Sequence, residues 1–494
     1  MLSDLQVGLV REAHAVPYPD TAPFHPSEKY PEYPFGDVSA RPNHAYAMVR
    51  RLFETMGLDR EHCGTSAWNP LGDIIQPGHR VVLKPNFVSH LNYAFKVGVT
   101  DTDCLVTHGS IIRAVADYVA IALKGFGNII VGDCPIQATR WEAVLELTGV
   151  DKVASYLRQQ GIDIATRDYR LVIGEMDGNY LSGTRRQNRL EDYREVDLGS
   201  ESALMPLIGD ADRFAVADHD IVRMRQAHNN VHNRYLIPRD VLEADCIINL
   251  PKLKMHVKAG VTVAMKNLVG VIGHKDYLPH FRIGSGRRGY DEFPHQDLFE
   301  PPYWGLHHLM WKRESGMIKR TLFQATRAFN LVISRERRWE GAGGWYGNDT
   351  LWRTIVDINR AVLYAERQTG AMCEAPQRRH LAIVDGLIGG EREGPLAPWP
   401  VRSGMLIGGT SAAAVDLVAA SAMGLDPMRI PSIREAFGRF RYPLTHELPD
   451  KVIVRTPVGA TTLEGFIQLS NPIPFRPPSG WRGHIEPSDL VPAA

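Results

Sequence analysis

The sequence predicts an α/β protein: mixed, mostly parallel sheets with flanking helices, arranged as two α/β lobes plus a helical insertion. Three short apolar runs end abruptly in polar residues or proline, at residues 80–86 (RVVLKPN), 128–135 (NIIVGDCP) and 246–250 (CIINL). Such runs are typical of strands buried in a parallel sheet. Segments with helical spacing separate them, and this alternation predicts strand–helix–strand units.

Composition limits the classes of function. The chain has 494 residues, of which 44% are hydrophobic and 23% charged, so it is a folded globular chain rather than a disordered one. Lys+Arg and Asp+Glu both number 56, and this zero balance argues against a nucleic-acid partner. No apolar run approaches the roughly 18 residues of a membrane span. The five cysteines form no CxxC pair, which predicts no local iron–sulfur motif, reduced thiols and a cytoplasmic location.

Shifts in composition predict five segments. Residues 1–45 are rich in Pro, Tyr and His and predict an extended arm on the surface. Residues 46–280 form the first α/β lobe, and residues 346–475 the second. Between them, residues 281–345 interleave basic and aromatic side chains and predict a helical insertion, either a solvated cap or a lid over an anionic substrate. Residues 476–494 form a C-terminal tail.

Helical periodicity places the helices in order along the chain. The segments with this periodicity are residues 44–57, 110–124, 140–147, 150–160 and 411–423. The last follows a strand and a Gly408-Gly409 turn and is rich in small residues. We expect Gly408 and Gly409 to offer backbone N–H groups to an anionic cofactor. The alternative is that they only let the helix pack closely on the sheet.

Polar side chains follow the predicted strands where ligands bind in parallel sheets, at the carboxyl ends. Lys84 and Asn86 follow one strand, and we expect both to bind substrate. Asp133 ends the next strand and is a candidate metal ligand, with helix capping as the alternative. Asp385 precedes a glycine-rich stretch and is a second oxygen ligand for a divalent cation, or a turn residue.

The densest group of chemically active residues lies between Lys252 and His280, a stretch with five lysines and three histidines. Lys266 stands among apolar residues, where burial lowers the pKa of an amine and makes it a nucleophile, a base or a covalent anchor. Alternatively, its amine reaches solvent or pairs with Asp385 or Asp416.

We expect other polar groups of the same stretch to hold the substrate. Lys252 and Lys254 follow a predicted buried strand, and Asn267 comes directly after Lys266. Positive lysines of this kind bind a carboxylate or a phosphate.

Several strings resemble the domain-of-unknown-function 362 family of bacterial and archaeal proteins. They are VVLKPNFVS, TH-x4-R (Thr107, His108, Arg113), IIVGDCP, ADCIINLPKLKMH with GVTVAMKNLVGVIGHKDYLPH, and the VDG to GGTSAAAVDLVAASAMGLDP region. The resemblance implies an α/β fold and no secure activity. Many members carry a ferredoxin-like insertion with CxxC repeats, which this sequence lacks.

The spacing of His256, Lys266 and His280 also resembles the site of the nickel-pincer lactate racemase family. That resemblance implies that His108 and His256 are paired acid/base groups, Lys266 is the covalent cofactor anchor and His280 is a metal ligand. Arg113, which shares the segment of His108, is expected to bind substrate. The sequence departs from the family pattern in two ways: Val-Ala-Met replaces Ser-Gly-Gly before the lysine, and the final spacing is shorter.

Together these features predict a metal- or cofactor-dependent enzyme of isomerase or oxidoreductase type that acts on a small anionic substrate. The expected cofactor is nickel-pincer-like or another divalent metal ion, and we expect a homo-oligomer without a nucleic-acid partner. Two alternatives stay open. One is a redox, iron–sulfur or metal-handling accessory protein, and the other is a non-catalytic protein that binds a phosphorylated or carboxylated ligand.

Overall fold

The computed structural model describes residues 5–487 apart from 13, 15, 178–179, 218–219, 295–299, 312–316, 330–333 and 470. The strands are β1 (Gln6–Arg11), β2 (Arg80–Pro85), β3 (Asn128–Asp133), β4 (Ile164–Asp168), β5 (Val172–Asp177), β6 (Tyr180–Arg186), β7 (Tyr193–Asp197), β8 (Phe214–Ala215), β9 (Arg234–Pro238), β10 (Cys246–Leu250), β11 (Lys252–His256), β12 (Gly260–Thr262), β13 (Phe281–Arg282), β14 (Arg379–Glu393), β15 (Ala397–Val401), β16 (Met405–Gly409), β17 (Ile453–Thr456) and β18 (Gly459–Thr462). The helices are α1 (His44–Met56), α2 (Gly109–Leu123), α3 (Trp141–Thr148), α4 (Val150–Gln159), α5 (Ile221–Ala227), α6 (Arg239–Leu242), α7 (Ala264–Asn267), α8 (Glu300–Trp311), α9 (Met317–Phe329), α10 (Arg335–Glu340), α11 (Leu351–Tyr364), α12 (Ala412–Ala422), α13 (Pro431–Ala436) and α14 (Leu463–Leu469).

A twelve-stranded sheet organises the protein, in the order β18-β17-β1-β16-β14-β10-β2-β3-β4, with β11, β12 and β15 attached beside β14. The neighbours β14, β10, β2, β3 and β4 run parallel, whereas β16 is antiparallel to both β14 and β1. This arrangement confirms the predicted α/β class. Because β14 and β16 pair into the same sheet as β2 and β3, both predicted lobes share one continuous sheet.

The sheet separates two apolar cores. Val81 and Leu83 point into the core under α1, α2 and α4, whereas Val82 points into the core under α7, α11 and α12. This alternation follows from the two-residue repeat of a strand. Strands buried on both faces need apolar residues at every position, which explains the continuous apolar runs in the sequence.

The predicted helices occur at the expected places. The structure has α1, α2, α3, α4 and α12 within a residue or two of the predicted bounds. At the end of α1, Gly57 has a φ of 74°, the left-handed conformation that favours glycine. At the end of α2, Lys124 caps the helix with a φ of 50°, one residue before Gly125.

The N-terminal arm is partly a strand. Its first segment forms β1, which pairs with β16 and β17, because the apolar run after Gln6 matches two open strand edges. The later arm is irregular and buries aromatic rings such as Tyr18 and Phe24 in the core under α1 and α2. Arg113 of α2 holds this part, donating from Nη1 to Pro23 O at 2.7 Å and from Nη2 to Tyr33 Oη at 3.1 Å.

The segment predicted as a helical insertion contains α8, α9 and α10, and parts of it lie outside the described residues. Within the described part, Trp304 and Tyr303 of α8 pack in a small apolar cluster with Phe281. His308 Nε2 lies 2.6 Å from Glu292 Oε1, so α8 is joined to the loop after β13. In the part of the chain that the structure describes, no helix has the length and apolar character needed to cross a membrane.

The Arg113–Asp117 ion pair offers a test of how the arm is held. The pair is fully buried at 2.8 Å, so Arg113→Met leaves Asp117 without its partner. We expect the free energy of unfolding to fall by about 3–5 kcal/mol, as measured by chemical denaturation at neutral pH. The control is Arg189→Met, whose ion pair with Glu191 is 81% and 69% exposed, and we expect no measurable change in the free energy of unfolding there. Unchanged stability in Arg113→Met would contradict this role.

Candidate functional site

Two of the predicted site residues meet at the carboxyl ends of β2 and β3. Lys84 Nζ lies 2.7 Å from Asp133 Oδ1 and 2.7 Å from Pro85 O, and both side chains are buried. Asp133 also accepts from the backbone N–H of Phe87 at 2.6 Å and of Cys134 at 2.7 Å. The structure therefore brings Lys84 and Asp133 together as an ion pair whose carboxylate is saturated by internal donors.

A ladder of buried side-chain amides lies beside this pair. Asn267 Nδ2 donates to Asn249 Oδ1 at 2.8 Å and to Lys84 O at 3.1 Å. Asn86 Nδ2 donates to Asn267 Oδ1 at 2.8 Å, and Asn86 Oδ1 accepts from Lys254 Nζ at 2.9 Å. Asn86, Lys254 and Asn267, which the sequence predicts as substrate ligands, are thus adjacent. They bind one another and fix the end of α7 against β2 and β10.

A second buried polar group lies around Asp385 in β14. Its carboxylate accepts from Lys252 Nζ at 3.0 Å, from the backbone N–H of His108 at 3.0 Å and from the hydroxyl of Tyr18. The Tyr18 ring stacks on His108 with centroids 4.1 Å apart. His108 Nδ1 accepts from the N–H of Ser110 and so caps α2. Lys252, Asp385 and the backbone of His108 therefore bind one another and belong to the supporting structure of the protein.

The remaining polar residues form what we call the Lys/His cluster: His256, Lys258, Lys266 and His280. Lys266 and Lys258 each have a pKa lowered to about 8, mainly because burial penalises the charged amine. Lys258 lowers the pKa of Lys266 further, and both lysines lower the pKa of His256 and of His280. The backbone brings these residues together. His256 of β11 pairs with Gly260 of β12, and α7, which carries Lys266, follows β12. Lys258 Nζ lies 5.4 Å from the centre of the ring of Phe281, the residue after His280.

The two lysines of the cluster differ from Lys84, Lys252 and Lys254 in their hydrogen-bond and ion-pair partners. Among the described residues, none donates to, accepts from or forms an ion pair with Nζ of Lys266 or Lys258; Lys258 lies only over the Phe281 ring, at 5.4 Å. The carboxylates within electrostatic range are Asp133 and Glu292, and these bind Lys84 and His308. The cluster is therefore a concentration of positive charge without a dedicated counter-ion.

Helix α7 holds Lys266 in place, and α12 holds α7. Asp416 of α12 accepts from the backbone N–H of Ala264 at 2.6 Å and of Met265 at 3.2 Å, at the first turn of α7. A carboxylate at this position satisfies donors that have no partner inside the helix. Neither Asp416 nor Asp385 pairs with the Lys266 amine, so the pairing alternative is not what the structure shows.

The two histidines of the cluster have complementary proton positions. His256 Nδ1 accepts from the backbone N–H of Lys258 at 3.0 Å and of Ala259 at 3.2 Å, so its proton is on Nε2. His280 Nδ1 lies 2.8 Å from the carbonyl oxygen of Leu278, which only accepts, so its Nε2 carries a lone pair. Burial and the nearby lysines hold the pKa of both imidazoles well below the ordinary value. The cluster thus contains one neutral N–H donor and one neutral acceptor.

The predicted metal ligands are not assembled as a metal site. His280 belongs to the Lys/His cluster, Asp133 is bound to Lys84 and Asp385 to Lys252. Within the described residues, no three or more His, Cys, Asp or Glu side chains are placed to hold a metal ion. The donor set therefore does not fit a metal bound by side chains alone, although His280 Nε2 retains a free lone pair.

The cysteines offer no substitute donor set. All five are free, and burial raises the pKa of Cys104 and Cys246 to about 12. A buried thiol with a raised pKa is a poor thiolate ligand.

Three predicted site residues lie away from the cluster. Arg113 binds Asp117 and the N-terminal arm. Gly408 and Gly409 lie inside β16, where they pair with residues of both β1 and β14. A side chain at Gly408 would come within 3.0 Å of Leu52 Cδ2, so this glycine permits close packing between β16 and α1, which is the alternative that the sequence left open.

Sequence reasoning missed two residues that shape the site, Tyr18 and Asn249, and considered a third, Asp416, only as a partner of the Lys266 amine. Tyr18 comes from the arm, and nothing in its local sequence points to Asp385. Asn249 lies within an apolar strand, where a single buried amide indicates a polar partner. Asp416 is an acid inside a helix of small apolar residues, and that contrast was a usable signal.

The lowered pKa of Lys266 predicts its chemical reactivity. With a pKa of about 8 rather than about 10.4, Lys266 carries on the order of 200 times more free amine at neutral pH than an ordinary lysine. We expect a water-soluble acylating reagent, used at low dose, to label Lys266 ahead of the exposed Lys96, as measured by peptide mapping. The labelled peptide should disappear in Lys266→Met, and equal labelling of the two lysines would contradict the prediction.

Comparisons with known proteins identify the family and leave the chemistry open. A solved structural-genomics crystal structure of a protein from Thermotoga maritima is 9% identical, with a TM-score of 0.30; the match covers 71% of this chain and 53%, about half, of that protein. No curated protein matches the chain. The model of the family described as "Domain of unknown function (DUF362)" matches residues 81–186 and 172–421. The chain, with its Lys/His cluster inside the matched region, therefore belongs to the DUF362 family.

Proposed function

We propose that this protein is an enzyme of isomerase type that moves a proton on a small anionic substrate bound at the Lys/His cluster. The observation that carries this proposal is the combination of two half-buried lysines without counter-ions and two histidines with opposite hydrogen-bonding roles. The sequence left two alternatives open. A non-catalytic anion-binding protein would need the lysines but not the histidine pair, and a metal-handling protein would need neither in this form.

The two lysines of the cluster are the reason to expect an anionic substrate. A buried positive charge costs free energy unless a negative group pairs with it. Lys84 and Lys252 have such a carboxylate partner, whereas Lys254 contacts only neutral oxygens and burial holds its pKa well below the ordinary value. Among the described residues Lys258 and Lys266 have no partner at all, and both retain some solvent exposure. A carboxylate or a phosphate of a substrate is the group that completes them.

The histidines account for the proton transfer. Nε2 of His280 has the lone pair of a general base, and Nε2 of His256 has the proton of a general acid. Because burial and the nearby lysines lower the pKa of both imidazoles, both are neutral near neutral pH. His256 then polarises the substrate as a hydrogen-bond donor, and His280 takes up the proton as the acceptor. Negative charge that develops on the substrate is stabilised by the two lysine amines. The acid/base pair is thus His256 with His280, whereas the sequence resemblance paired His256 with His108.

The metal and cofactor that the sequence predicts have no assembled donor set in the described residues. Burial raises the pKa of the Cys104 and Cys246 thiols to about 12, which makes these two poor ligands for an iron–sulfur cluster. The five free cysteines support the expected cytoplasmic location. Assembly as a homo-oligomer stays a prediction.

Binding of small anions tests the first half of the proposal. In a panel of carboxylic acids and sugar phosphates, we expect at least one anion to raise the melting temperature of the wild type. Lys258→Gln and Lys266→Gln should each weaken its affinity by about 10- to 100-fold, because each removes one charge-assisted hydrogen bond. The matched control is Lys96→Gln on the exposed surface, which should bind as the wild type does. Equal affinity in all three variants would contradict the proposal.

Proton exchange tests the second half. With a bound anion in D₂O, we expect NMR to show exchange of a carbon-bound hydrogen next to the charged group. His280→Gln removes the base and should slow this exchange by about 100-fold or more while leaving anion affinity nearly unchanged. Binding without any exchange, by any member of the panel, would assign the site to a non-catalytic anion-binding protein.

A further inference from the structure

We propose that Lys266 is a covalent nucleophile whose amine forms an imine with the carbonyl group of a small 2-oxo acid. This inference rests on the proposed function and names the substrate class of the same site. It requires a free amine, a neighbouring cation, a group to hold the carboxylate and a route for the protons. The described residues supply each of these.

The amine of Lys266 is free to react because it is held from its backbone and not from its nitrogen. Asp416 binds the first turn of α7 through two backbone N–H groups. Asn267, the next residue, is fixed by hydrogen bonds to Asn249 and Asn86. The described residues leave Nζ of Lys266 without a hydrogen bond or an ion pair. Its position is therefore determined while its nucleophilic lone pair stays available.

Neighbouring cations favour the unprotonated amine. A lysine in a desolvated position next to another cation is the usual way in which proteins activate an amine as a nucleophile. Lys258 and Lys84 both lie within electrostatic range of Lys266 and lower its pKa, in addition to burial. Lys84 is neutralised by Asp133 at 2.7 Å, so Lys258 is the cation without a partner of its own.

A 2-oxo acid matches this arrangement of charges. Its carbonyl carbon is the electrophile that an amine attacks, and its carboxylate, one bond away, supplies the negative charge that Lys258 lacks. A simple aldehyde has no group for Lys258, and a phosphate monoester has no carbon electrophile. Both lysines of the cluster are therefore used only by a substrate that carries a carbonyl next to an anion.

The imidazoles provide the proton route, and the step balances without a redox partner. The Lys266 nitrogen forms a bond to the carbonyl carbon, and His256 Nε2–H donates a proton to the carbonyl oxygen. The amine nitrogen loses two protons. One passes through His280 Nε2 to the leaving oxygen, and the other restores the proton that His256 Nε2 gave up. The carbon–oxygen bond breaks, and the oxygen, with one proton from each histidine, leaves as water. No electrons are gained or lost.

Reductive trapping tests the imine directly. We would incubate the full chain with pyruvate and sodium borohydride, whose hydride adds to the imine carbon and leaves a stable secondary amine. Intact mass should show one reduced adduct, and peptide mapping should place it on Lys266. Lys266→Arg, shown to be folded by its melting temperature, should lose the adduct. Lys258→Met should lower its yield at neutral pH by several-fold, and the matched variant Lys96→Met should not.

The outcomes separate this inference from the proposed function. Absence of an adduct in a protein whose melting temperature still rises with carboxylates overturns the imine and leaves the anion site. Absence of both overturns the two together. An adduct spread equally over Lys266 and exposed lysines such as Lys96 also overturns the imine, because it shows no selective activation of the amine.

Discussion

The side-chain amide of Asn267 is the constraint on which the arrangement of the site depends. It lies at the end of α7 and bonds Asn249 on β10, the backbone of Lys84 on β2 and Asn86 beyond β2. An amide has two donors and one acceptor oxygen in fixed directions, so these bonds define the position of α7 relative to two parallel strands. Because the amide is buried, any displacement leaves polar groups without partners, which is costly. The position of Lys266, the residue before Asn267, is therefore fixed by the hydrogen bonds of the Asn267 amide.

The five lysines around the site fall into two kinds, and the difference is one of partners. Lys84 and Lys252 are fully buried, and a carboxylate compensates the charge of each. Lys254 is also fully buried, but its acceptors are neutral oxygens and burial holds its pKa well below the ordinary value. Lys258 and Lys266 are half-buried and have no partner among the described residues, and burial lowers the pKa of each amine to about 8. Two cations without a partner of their own suit a small anion, because its negative charge supplies the missing compensation.

Much of the fold followed from local sequence, and the site followed only in part. The apolar runs ending at Pro85 and Asp133 identified β2 and β3, and the end of each supplied residues of the site, because parallel strands place their carboxyl ends at one edge. The stretch from Lys252 to His280 was identified as the richest in reactive groups. Its internal roles were not: Asp133 and Asp385 carry features of metal ligands, yet each is neutralised by a lysine. That His280, rather than His108, lies within electrostatic range of His256 was also not deducible.

The sequence by itself determined the α/β class, the positions of the main helices and the concentration of lysine and histidine, because each depends on periodicity or composition within a short window. Only the tertiary structure decided which polar groups are partnered and which are free. Those partners are distant along the chain, since Asn86 and Asn267 are separated by 181 positions and Tyr18 and Lys252 by 234. A local pattern records that a buried polar group needs a partner, but not which distant residue supplies it. In this protein, the polar residues that have distant partners build the site, and those without a partner are the ones available to bind a ligand.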